Sequence, residues 1–201
     1  MRWSMSLPIA ACIVALTAAG CTDTTGGIAK TDSSASKQSA SASTSTPVTN
    51  TLPSPHPGPT DNNNGTSFDP CLAYSADELR AWGVKPGSVE DLANTPSLQR
   101  GCAWSGDGWD VQQTVLNRPI SDYLNQDLFP GSEQVTVEGL AAVRWRDEVD
   151  PQRVCYVELP AQKASVGTIV GVRNPQAQKV IPDACTKAMS IATDTAKKLP
   201  K

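Results

Sequence analysis

An apolar run from Leu7 to Ala19 follows one basic residue, Arg2, and ends at Cys21; the chain then stays almost wholly polar until Phe68. At about 1.5 Å per helical residue the run reaches roughly 20 Å, short of the ~30 Å hydrocarbon core of a bilayer. The pattern therefore predicts a secretory signal rather than a span. From Phe68 onward, hydrophobic positions recur with the periods of folded elements. Ser75-Ala76-Asp77-Glu78 is a capping box, opening a helix whose Leu79 and Trp82 share a face and which Gly83 ends. Cys102-Ala103-Trp104 reads as a strand, Gly106-Asp107-Gly108 as a tight turn, and Trp109 to Leu116 as the returning strand, with Trp109, Val111 and Val115 on one face. Ile120 to Asp127 is a short helix or an irregular excursion.

Three more strands follow. Val135 to Val137 leads through Gly139 into Ala141 to Arg146, then come Arg153 to Leu159 and Ala164 to Arg173, joined by short polar loops that predict an antiparallel meander. Arg144 and Arg146 alternate with Val143 and Trp145, so one face is expected to be wet. Asp183 to Leu199 predicts a helix capped by Asp183, with Lys197 and Lys198 at its negative end. At 100° per residue, Cys185, Ala188, Met189, Ala192, Ala196 and Leu199 gather on one side. The fold class is α+β: an antiparallel meander with N- and C-terminal helices packed on it and two disulfides.

Composition changes the picture mainly outside that domain. Residues 21–67 are rich in Ser, Thr and Pro, with Ser39 to Pro47 of low complexity and a cluster at Pro53, Pro55, Pro57 and Pro59. With little apolar surface to bury, this stretch reads as a disordered linker between a signal peptide, 1–20, and a four-cysteine domain, 68–201. Removing residues 1–20 takes away only Arg2 among charged groups, moving the formal charge from -3 to -4. That acidity argues against nucleic acid or an anionic membrane surface as partner.

Beyond Cys12 in the signal and Cys21 at its end, Cys71, Cys102, Cys155 and Cys185 remain. An even number in an exported chain reads as two disulfides, with three possible connectivities. Cys102 and Cys155 sit in strands, and Cys71 and Cys185 at helix starts. The economical pairing is therefore strand to strand, Cys102 with Cys155, and helix to helix, Cys71 with Cys185. A zinc site is the weaker reading: there is no C-x-x-C, and the single histidine, His56, lies among the prolines of the linker.

Without a histidine in residues 68–201, no Ser-His-Asp or Cys-His nucleophile can be assembled there. Trp104, Trp109 and Trp145, on neighbouring strands, are the candidate binding surface for a sugar or lipid; the plainer reading has at least two of them in the core. Asp147, Glu148 and Asp150 read as a solvated acidic turn, and Asp69, Asp77 and Glu78 as helix-start residues. Gly167 to Gly171 lacks the lysine of a phosphate loop. No cofactor or metal is implied. A carboxylate pair acting on wall glycan is the alternative to a non-enzymatic module.

Leu16-Thr17-Ala18-Ala19-Gly20-Cys21 resembles the bacterial lipobox, in which small residues precede a cysteine whose sulfur is acylated before cleavage. Ala18 stands where leucine is usual. Ordinary secretion through an A-x-A-like site is the plainer alternative. Together with Phe68-Asp69-Pro70-Cys71, Cys102-Ala103-Trp104, Cys155-Tyr156-Val157, and Asp183-Ala184-Cys185 before a helix closed by Leu199-Pro200, this arrangement resembles a family of uncharacterised actinobacterial lipoproteins. The resemblance implies a cell-envelope lipoprotein, held on the extracytoplasmic face of the membrane by palmitate-type chains on Cys21. Its partner would be an envelope protein, glycan or lipid. No catalytic residue comes with it.

Overall fold

The structure, a computed structural model, describes Leu52 and residues 56–94 and 98–200. The signal segment, Cys21 and most of the linker lie outside the described residues. The capping box forms as its residues require: Ser75 accepts from the Glu78 backbone N–H, Glu78 accepts from the Ser75 backbone N–H, and Gly83 closes α1 (Ala76–Trp82). Among the described residues, seven strands follow the order β1-β2-β3-β7-β6-β5-β4, every neighbour antiparallel. They are β1 (Glu90–Asp91), β2 (Arg100–Ser105), β3 (Trp109–Leu116), β4 (Glu133–Val137), β5 (Leu140–Arg146), β6 (Val154–Ala161) and β7 (Ala164–Val172). Helices α2 (Pro175–Val180) and α3 (Ala184–Ala196) complete the chain.

The expected α+β architecture is present, and β4 to β7 form the meander. The hairpin β2–β3 joins it through β7, with Val111 opposite Val170 and Val115 opposite Val166. Register puts Trp104, Val111, Val115, Val157, Leu159, Val166 and Val170 on one face, under the helices. Alternation along a strand fixes this, since a slip of one residue would turn the whole set outward. α3 packs over β6 and β7 and buries Cys185, Ala188, Ile191, Ala192 and Thr195. Beneath it, Tyr74 Oη lies 2.8 Å from Thr195 Oγ1 and donates to Gln113 Oε1 at 3.2 Å, while Gln113 Nε2 donates to Thr168 Oγ1 at 2.8 Å. These buried polar groups are thus satisfied inside the core.

Both disulfides form, in a pairing other than the expected one: Cys71 joins Cys102 and Cys155 joins Cys185, with Cα–Cα distances of 5.2 and 5.0 Å. The strand-to-strand pairing fails on sheet order. β2 and β6 are three inter-strand steps apart, roughly 14 Å at about 4.8 Å per step, whereas a disulfide needs Cα atoms within about 7 Å. One bridge instead fastens the turn before α1 to β2, and the other fastens the start of α3 to β6.

Two further expectations are corrected. Arg144 and Arg146 do alternate with Val143 and Trp145, but the arginines share the helix-bearing face, where Arg146 stands opposite Cys155 in register. The other face carries Trp145 and is covered by Tyr123 and Phe129 from residues 117–132. The ordered domain also begins before Phe68. Leu52 packs against the core, and the buried Arg100 draws residues 63–68 along β2, donating to the carbonyls of Asn63 (3.0 Å), Thr66 (3.1 Å) and Phe68 (2.7 Å). His56 Nδ1 lies 2.8 Å from Asp91 Oδ2, and its Nε2 lies 3.2 Å from Asp69 Oδ2.

Candidate functional site

The end of α1, the β2–β3 turn, α2 and the first turns of α3 enclose a cleft of about 920 Å³. That volume lies within the ~300 to 1,000 Å³ of small-molecule sites. Local sequence explains each wall. The β2–β3 turn is Gly106-Asp107-Gly108, and Gly106 is required because the Trp109 ring lies on it: a Cβ there would fall 2.1 Å from Trp109 Nε1. Asn174 opens α2 by accepting from the Ala177 N–H at 2.8 Å, with Pro175 pre-set at the first helical position. Asp183 opens α3 by accepting from the Cys185 N–H at 2.8 Å.

The lining is apolar on Trp82, Trp109, Ala177, Val180 and Ile181, and charged at Lys187, Asp183 and Asp107. Trp82 is fixed by donating Nε1 to Asp194 at 3.1 Å. Asp183 is gripped by Arg146, whose hydrogen bonds hold its carboxyl below the usual aspartate range. Lys187 is half-buried on α3 with its Nζ 5.1 Å from the centroid of the Trp109 ring, and burial pulls its ammonium pKa down. Among the described residues it forms no ion pair. The arrangement can hold a molecule with an apolar body and a polar end. No helix among the described residues is long and apolar enough to cross a membrane.

The candidate tryptophans do not form one platform. Trp104 is fully buried, with its ring 6.0 Å from that of Tyr74, and Trp109 is nearly so at the cleft. Trp145 lies on the opposite face, stacked on Tyr156 at 4.8 Å and on Tyr123 at 5.5 Å. Trp104 and Trp109 both belong to the buried core. The acidic turn is local structure: Asp147 accepts from the N–H groups of Val149 and Asp150, both at 2.9 Å, and Asp150 pairs with Arg153.

Residues 16–198 match the family described as Protein of unknown function (DUF3558). The chain belongs to this DUF3558 family. Among curated proteins and solved structures, nothing matches. For this DUF3558 member, then, the site rests on geometry alone, and most of that geometry was out of reach of the sequence. The sequence marks Trp109 as a candidate but not Lys187, because on the α3 wheel Lys187 lies away from the apolar face. Asn174-Pro175, a cap followed by proline, was a usable sign of α2.

His56 is brought to Asp69 and Asp91 beside the Cys71–Cys102 bridge, a grouping no spacing rule suggests. Both sulfurs there are bonded to each other, so no thiolate is offered to a metal. Glu158, on the Trp145 face, is buried so completely that its carboxyl is pushed up to about 8.

Proposed function

We propose that this chain is an exported lipoprotein, acylated at Cys21 and held on the extracytoplasmic face of the cell membrane, whose domain is a non-enzymatic binding module with the cleft as its binding site. The observation that carries the reading is the cleft of about 920 Å³, with Trp82 and Trp109 in its walls and Lys187 on α3. The apolar run ending in small residues at Cys21 supports the tether. Four domain cysteines all joined in disulfides suit an oxidising compartment. A binding rather than catalytic role is favoured by Asp183, which is occupied as a helix cap and by Arg146 and so is not free to move a proton.

Growing the producing cells with an alkyne fatty acid tests the tether. The wild-type chain should carry the label and sediment with membranes, and Cys21→Ser should do neither. A Cys21→Ser chain that stayed labelled and membrane-bound would refute it.

A further inference from the structure

We infer that the cleft takes an acid-headed amphiphile, its anionic headgroup paired with Lys187 and its apolar chain lying along Trp82, Trp109 and Ile181 toward Val180. This rests on the cleft being the binding site. Charge accounting singles out Lys187. Four cations near α3 have carboxylate partners, Arg146 with Asp183, Arg173 with Asp110, Lys197 with Asp194 and Lys198 with Glu78, and Lys179 on α2 is exposed to water rather than half-buried in the cleft. Among the described residues, Lys187 has only the Trp109 ring in contact with its ammonium, and the charge of Asp194 reaches it from beyond ion-pair distance. An ammonium withdrawn from water without a contacting counter-charge is costly, and an incoming anion relieves that cost.

The carboxylates of the cleft do not supply the missing charge. Asp183 is engaged by Arg146, and Asp107 is exposed on the β2–β3 turn. The other end of the cleft is apolar, and Val180 stands 82% exposed at its rim. One cation at one end and apolar surface running to the rim match a single anionic oxygen headgroup followed by a hydrocarbon chain. A polyanion would find only one partner, and a neutral lipid would leave Lys187 bare.

The test uses the full chain carrying Cys21→Ser, so that no acyl group of its own competes. It is titrated calorimetrically with dodecanoate, dodecyl phosphate and dodecanol below their aggregation limits. At least one anion should bind one to one, and at least tenfold tighter than dodecanol; which anion is preferred separates a free fatty acid from a phosphate-headed source. Lys187→Met should bring the anion down to the alcohol's affinity, and Lys187→Arg should keep it.

Ser190→Trp, which fills the cleft from an exposed position on α3, should abolish binding of every probe. Equal affinity for dodecanol, or no effect of Lys187→Met, would overturn the headgroup assignment while leaving the cleft standing if Ser190→Trp still blocks. Binding that survives Ser190→Trp, or binding of no probe, would overturn the cleft reading and this inference with it.

Discussion

Arg146 on β5 holds Asp183 at the start of α3 with two parallel hydrogen bonds, Nη1 to Oδ1 at 2.8 Å and Nη2 to Oδ2 at 3.0 Å. The same Asp183 caps α3, two residues before the Cys185 that is bonded to Cys155, the residue opposite Arg146 in register. Clasp, cap and disulfide thus fix the start of α3, the helix that carries Lys187, to β5 and β6.

Breaking the clasp should cost little at pH 7 and nothing in acid. Arg146 and Asp183 are 39% and 38% exposed at their side chains, so solvent screening keeps the pair near about 1 kcal/mol. Arg146 lowers the folded-state pKa of Asp183, so this stabilisation is present above the ordinary aspartate pKa of 3.8 and is lost as pH falls through the lower folded value. Urea unfolding of Arg146→Met should show the deficit at pH 7 and its disappearance near pH 2. An undiminished deficit in acid would assign it to lost packing instead.

Glu158 should give the opposite dependence. Its carboxyl occupies the space left by Gly167, where a Cβ would fall 2.5 Å from Oε1, and burial raises its pKa from 4.5 to about 8, against smaller opposing effects of Ser165 and Arg118. The folded chain therefore keeps a proton that the unfolded chain loses above about 4.5. Stability from this group is full below that pH and lost as pH rises through about 8. Glu158→Gln, which cannot ionise, should flatten the curve and gain on the wild type by roughly 3 kcal/mol between pH 4.5 and pH 7. Parallel stability curves would contradict this.

The disulfides should be recovered by unreduced peptide mapping as Cys71–Cys102 and Cys155–Cys185. Their sequence separations are 31 and 30, so in the chain-entropy model each contributes about 3 to 4 kcal/mol. Replacing Cys155 and Cys185 together by Ala should lower the urea-extrapolated stability by about that amount. It should also loosen the cleft, because α3 loses its covalent hold on β6.

Features set by neighbours in the chain were legible from sequence, and those set by distant pairing were not. The capping box at Ser75 and Glu78, the turn at Gly106 to Gly108 and the Asp183 cap each involve residues within a few positions, and each forms as read. The β3–β7 pairing links Val111 to Val170 across a long connection and has no local sign. The disulfide pairing followed that unseen sheet order, and so did the faces of Arg146 and Trp145. The prolines around His56 place it in the linker on sequence; Asp69 and Asp91, which hold it, lie 13 and 35 residues further on. The cleft was illegible for the same reason, since α1, the β2–β3 turn, α2 and α3 meet only in the folded chain.

Native mass spectrometry of the chain extracted from the membranes of the cells that make it, beside its Ser190→Trp variant, tests the tethered binding module most directly. The wild type should carry both a covalent acyl mass on Cys21 and a non-covalent small molecule, and Ser190→Trp should keep the first and lose the second. A wild-type chain without bound mass, or the same non-covalent mass on both proteins, would contradict the account.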